Sequence, residues 1–232
     1  MKGLIDRLST WSVLNLGCFL SALCWRVGNH VTIIGQMPKT GPLIVITSHQ
    51  LFSDSFLLAC TLDSWRNVIT NPGSALWHCP ATRFLKNPIV NWLAHYAHCL
   101  PINRASGRGH DLIKEVLKKD GRVCIFPTSG FRVETTAKRR APVLLGKLIY
   151  ENKPLVIPVC ITGLPVWDGR QISQTKNRIK KLKLFIQRTC PGLGRQITVT
   201  IGEPLDLSAL YRLENSRDTW HQIAEELITN VS

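Results

Sequence analysis

The chain has 232 residues and a mass of 26.1 kDa, 44% of it hydrophobic and 19% charged, with a mean hydropathy of +0.04. Such a chain is one large domain rather than two small ones, too apolar to be disordered and short of a multi-span membrane protein. Lys and Arg outnumber Asp and Glu by 29 to 15, and the net charge of +14 predicts an anionic partner: nucleic acid, an acidic membrane surface or a phosphorylated substrate. The eight cysteines stand singly, mostly inside apolar runs such as RVCIF and VIPVCI. That pattern argues against a zinc site or a disulfide scaffold and for reduced core residues in a reducing cytosol.

At the N-terminus, WSVLNLGCFLSALCW (11–25) follows Lys2 and Arg7 and precedes Arg26, the outline of a signal peptide. It is short of the ~20 apolar residues of a bilayer span, contains Ser12 and Asn15, and has Leu23 where lipoprotein cleavage wants a small residue. With Trp11 and Trp25 at its ends it reads as a helix lying in a membrane interface; the alternative is an amphipathic helix packed on the core. Residues 1–29 are therefore expected to form a membrane-associating helix and 30–232 the main domain.

HVTIIG (30–35) and LIVITS (43–48) are β-branched runs separated by a Pro/Gly turn, followed by a helix over SDSFLLACTL. A short strand is expected at WRNVIT (65–70), a Pro-broken helical region over 75–97 and a strand ending near LPINR (100–104). Next comes a helix over HDLIKEVLKKDG, with Leu112, Val116 and Leu117 on one face and Gly121 as its stop. RVCIFP (122–127), PLVIPVCIT (154–162) and QITVTIG (196–202) complete the strands, and a helix over 216–230 closes the chain. The alternation predicts an α/β fold with a mixed, largely parallel sheet flanked by helices.

In such folds chemistry sits where loops leave the carboxyl ends of strands. LIVITS runs straight into His49, and Asp54 follows five residues later. On a continuous helix these two would stand about 140° apart, but across a strand-to-helix turn the carboxylate can hold one ring nitrogen and leave the other free as a base. The blander reading makes Asp54 a helix cap and His49 an ordinary loop residue.

The order of the other segments adds to this. SHQLFSD (48–54), PINR (101–104), FPTSGFR (126–132) and VIPVCI (156–161) resemble, in order, the four blocks of the glycerolipid acyltransferase family, the first being similar to NHxxxxD. AKRRAPVLLGKLIYEN resembles the family's FKKGA stretch and the helix after it. The resemblance spans roughly 26–206 and implies a glycerolipid acyltransferase-like fold with His49 and Asp54 as the catalytic pair. It also implies that Arg104 contacts the acceptor phosphate. Ser129, Gly130 and Arg132 are candidate substrate-binding residues, although the third block has Thr128 and Ser129 where the family carries Glu and Gly. Lys138, Arg139 and Arg140 face either substrate phosphate or the diphosphate of coenzyme A.

The implied activity moves a fatty acyl group from an acyl-CoA or acyl-carrier-protein thioester to a lysophospholipid, 1-acylglycerol-3-phosphate first among acceptors, with no cofactor. The expected partners are that donor, that acceptor, the carrier protein and an anionic membrane surface, with the protein peripheral on a cytoplasmic membrane face. KNRIKKLKLFIQR (176–188) interleaves basic residues with Ile179, Leu182, Phe185 and Ile186 at helical spacing, either an anionic-surface anchor or a solvated charged face. Alternatives are a membrane-bound pseudoenzyme, an enzyme for a non-phosphate lysolipid, and a basic nucleic-acid-binding protein. The last finds no helix-turn-helix, finger or RNA-recognition signature to support it.

Overall fold

The computed structural model describes residues 2–26, 28–38, 41–47, 54–62, 70, 75–79, 88–102, 109–127, 143–164, 177, 179–180 and 194–231. The elements among them are α1 (Lys2–Arg26), β1 (His30–Ile34), β2 (Leu43–Thr47), α2 (Asp54–Leu62), β3 (Trp77–His78), α3 (Pro88–Tyr96), α4 (His110–Lys118), β4 (Arg122–Ile125), α5 (Val143–Asn152), β5 (Leu155–Thr162), β6 (Gln196–Ile201) and α6 (Arg217–Thr229). The strands form one sheet in the order β1-β6-β5-β2-β4-β3, every neighbouring pair parallel except β5 with β6. This is the mixed, largely parallel sheet the sequence predicts.

Strand alternation divides the core into two layers. Leu43 and Val45 of β2 join Cys124, Ile157, Val159, Ile161, Ile197 and Val199 beneath α1 and α2, which contribute Trp25, Leu57, Leu58 and Leu62. Ile44 and Ile46 point the other way, joining Val123, Ile125 and Val156 against α4, α5 and α6 through Ile113, Leu117, Leu145, Leu148, Ile149, Ile223 and Leu227. All five residues of β2 are buried because both its faces are covered, which is why LIVIT is continuously apolar apart from its last residue. Pro158 is tolerated inside β5 because its missing N–H falls on the β6 side, where β6 ends at Ile201 and Gly202 N–H donates to the Pro158 carbonyl (2.9 Å).

Several expectations need correction. The strand expected at 65–70 lies outside the described residues except for Thr70, which is helical. Residues 77–78, placed in a helical region, instead form edge strand β3 beside β4, since the apolar Leu76–Trp77 stretch gains a ladder there. Where a strand was expected to end near 100–104, the described residues show a bridge between Cys99 and His78 and a bridge residue at Ile102, while 103–104 lie outside the described residues.

In α4 the buried residues are Ile113 and Leu117, while Leu112 is 39% exposed, because the helix turns the i, i+4 pair one position later toward the sheet. Its left-handed terminal residue is Asp120 (φ 55°) rather than Gly121, whose added Cβ would instead collide with Val116. Cys160 is exposed, not core, because it faces the side of β5 and β6 that the helices leave open. Cys79 and Cys124 are buried and Cys18 and Cys99 half-buried, none of these four in a disulfide.

Candidate active site

The central strand β2 points its carboxyl end at the candidate site. Thr47, its last residue, is fully buried, and α2 opens at Asp54, also 0% exposed. β2 pairs in parallel with β4, Ile46 opposite Ile125, so both strands deliver their carboxyl ends to the same edge of the sheet. The chain that leaves β2 carries His49, and the chain that leaves β4 through buried Phe126 and Pro127 carries Ser129, Gly130, Arg132, Arg139 and Arg140. These six residues and Arg104 lie outside the described residues; of the residues singled out from the sequence, Asp54 alone is described.

Asp54 stands in the first turn of α2, where unsatisfied N–H groups and the helix dipole favour a negative charge. That charge is felt on β4. The Cys124 thiol is pushed far up, first by complete burial and then by Asp54, so it stays protonated and is no nucleophile. Burial likewise raises the Cys99 thiol to about 11. Among the described residues no cluster of three His, Cys, Asp or Glu could hold a metal ion.

A pair of histidines escaped the sequence reading because 75–97 was taken for helix. His78 on β3 and His98 are both nine-tenths buried or more, each held at about 4, chiefly by burial. His98 stacks on Trp77 with centroids 4.1 Å apart and planes 7° from parallel, and its Nδ1 lies 3.4 Å from the Ala75 carbonyl oxygen. His78 donates its backbone N–H to the His98 carbonyl (2.8 Å) and accepts from Leu100 N–H (2.7 Å). The pair is therefore neutral and buried at the edge strand β3. No local signal separates Trp77 and His78 from the helical pattern around them, because their strand character comes from pairing with β4.

Near this edge a cavity of about 370 Å³ is lined by α3 residues Pro88, Asn91, Trp92, His95 and Tyr96 and by Pro101. Asp54 is not among the described residues that line it. Further along, Asn177 accepts the backbone N–H groups of Ile179 (2.9 Å) and Lys180 (3.1 Å), capping a helical start whose Ile179 is 80% exposed. The remainder of the basic 176–188 segment lies outside the described residues.

The molecule is thus an α/β domain with a buried acid at the head of the helix after its central strand, and its likeness to known proteins gives its family. The sequence model of the Acyltransferase family matches residues 29–162, and the chain belongs to that family. It is 24% identical over 205 residues to Tafazzin of Drosophila melanogaster, across 86% of this chain and 50% of that protein. The chain thus spans about half the length of the curated relative it matches. Among solved structures it resembles PlsC of Thermotoga maritima, a 1-acyl-sn-glycerophosphate (LPA) acyltransferase, with TM-score 0.56 and 18% identity over 99% of this chain and 81% of that one. At that identity the likeness speaks to fold.

Proposed function

We propose that the protein transfers a fatty acyl group from an acyl thioester to the free hydroxyl of a lysophospholipid at a membrane surface. The observation that carries this is the family match over 29–162, together with the family's acid position, Asp54, buried at the head of α2. His49 takes the proton from the acceptor hydroxyl as that oxygen attacks the thioester carbonyl, and Asp54 fixes the ring and stabilises the imidazolium. The tetrahedral intermediate collapses with loss of the thiolate, which recovers the proton from His49. Backbone N–H groups in the 127–131 loop are candidates for binding the oxyanion. No covalent acyl-enzyme and no cofactor is required, since the thioester of coenzyme A or acyl-carrier protein is a substrate.

Arg104 binds the acceptor phosphate with its two-pronged guanidinium, and Ser129, Gly130, Arg132, Arg139 and Arg140 complete the contacts to acceptor and donor. 1-Acylglycerol-3-phosphate is the first acceptor to test, and a lysolipid without a bare phosphate the second, because the third block lacks the family's Glu. The protein sits peripherally on a cytoplasmic membrane face through α1; among the described residues no helix is long and apolar enough to cross a membrane. That altered block also favours a second reading, a membrane-bound relative without turnover.

The test is thiol release from long-chain acyl-CoA and from an acyl-carrier-protein thioester, with and without lysophosphatidic acid in mixed micelles, by wild type and His49→Ala. Release that requires both acceptor and His49 is expected. Replacing Arg104 with Ala is expected to raise the acceptor KM about tenfold or more with little change in donor KM. Absence of release across phosphate-bearing and phosphate-free lysolipids would establish the second reading.

A further inference from the structure

The large exposed hydrophobic side chains are not spread evenly over the molecule. On α1, Leu8, Trp11, Leu16, Phe19, Leu20 and Leu23 are all exposed, while Leu14 and Trp25 are buried. At 100° per residue the exposed six fill one contiguous half of the helix, and the two buried residues lie outside that arc. Between Arg7 and Arg26 the helix has no charged residue. Its one amide side chain, Asn15, returns a hydrogen bond to the Trp11 carbonyl (2.8 Å).

α1 packs on α2 and on α3. α3 turns Ala94 inward and leaves Trp92 and Leu93 55% and 43% exposed. It too carries no Asp, Glu, Lys or Arg. Trp92 meets the half-buried Tyr96 ring edge-on at 5.4 Å, which pairs the exposed indole with a second amphipathic ring.

We propose that α3 is a second membrane-contacting element, and that Trp92 and Leu93 enter the interface of the same lipid surface that receives α1. This rests on the reading of α1 as a membrane-binding helix. Two observations favour a lipid surface over a protein partner. The exposed arc of α1 between Arg7 and Arg26 and the exposed residues of α3 carry aromatic side chains suited to the headgroup boundary and no Asp, Glu, Lys or Arg to select a protein partner. The whole chain is basic by +14, which complements an anionic leaflet. A single interfacial helix leaves the domain free to roll about its axis; a second contact on a neighbouring helix fixes the orientation of the sheet edge from which His49 and Arg104 depart.

The experiment is co-sedimentation with vesicles of phosphatidylcholine containing about one third phosphatidylglycerol, comparing wild type, Trp92→Ser/Leu93→Ser, Leu16→Ser/Phe19→Ser and Leu112→Ser. Leu112 is an exposed leucine of α4, under the other layer of the sheet. The Trp92/Leu93 variant is expected to lose at least about tenfold in partitioning at unchanged thermal midpoint, and Leu112→Ser to behave as wild type. If the Leu16/Phe19 variant loses binding while the Trp92/Leu93 variant keeps it, the α3 contact is overturned and α1 stands alone. If neither pair matters, both are overturned. A wild type that ignores vesicles and forms a dimer abolished by Trp92→Ser would assign the surface to a second copy instead.

Discussion

Asp54 combines complete burial with a place in the first turn of a helix, where the unsatisfied N–H groups favour its negative charge. Asp54→Asn preserves shape and removes the charge. It is expected to lower kcat by about two to four orders of magnitude, with the circular dichroism spectrum unchanged. Near-normal turnover would end the case for Asp54 as the group that orients the base. The neighbouring thiol is a separate matter. Cys124 is buried and held protonated, whereas Cys160 lies exposed on the open side of β5. Brief alkylation of the native protein at neutral pH should therefore label Cys160 and spare Cys124, as read by peptide mass spectrometry; early labelling of Cys124 would contradict its burial.

At the scale of elements, the β3 edge carries a built-in acid sensitivity. Unfolded, His78 and His98 would titrate near 6.5, but in the fold both stay neutral down to about 4. Above pH 6.5 neither state binds these protons, so the pair leaves stability unchanged. Between 6.5 and 4 the unfolded chain takes them up and the folded one does not, so stability falls as the pH drops, by several kcal/mol at ~1.4 kcal/mol per unit per group. Urea midpoints measured across this range should show that slope, and His98→Asn, which the left-handed backbone at φ 50° tolerates, should flatten it. Another tight point is the crossing of α5 and α6, where a Cβ on Gly146 would run into the Trp220 carbonyl oxygen. Gly146→Ala is expected to cost about 1–3 kcal/mol despite its better helix propensity, and an unchanged or raised thermal midpoint would show that the helices can move apart. These two features mark where the sequence was hard to read. Runs such as LIVIT and QITVTI declare themselves through β-branched composition, and His49 to Asp54 through its place after such a run. Nothing local distinguishes the two-residue β3 from the helix that follows, because its strand character comes from pairing with β4, more than forty residues away. Nor does the pattern of α4 settle which of two adjacent i, i+4 rows, Leu112 with Val116 or Ile113 with Leu117, meets the sheet.

Over the whole molecule, parallel pairing of β2 with β4 gathers onto one sheet edge the two chain segments that carry most of the candidate chemistry, while α1 and α3 expose their apolar faces on the α2 side of the same sheet. The membrane attachment proposed above has two components of different physical origin. Burial of Leu16, Phe19, Trp92 and their neighbours is insensitive to salt, whereas attraction of a +14 chain to anionic lipid is screened over a Debye length of about 8 Å at physiological ionic strength. Partitioning to anionic vesicles should therefore weaken as sodium chloride is raised and then level off at a residual value. That plateau should match the binding to neutral phosphatidylcholine vesicles, which should itself change little with salt. The basic clusters Lys138–Arg139–Arg140 and Arg178–Lys180–Lys181–Lys183 should control the slope and leave the plateau alone, while Leu16→Ser/Phe19→Ser should lower the plateau and leave the slope alone. Partitioning that falls to nothing at high salt would mean that charge alone holds the protein, and the exposed face of α1 would then need another occupant.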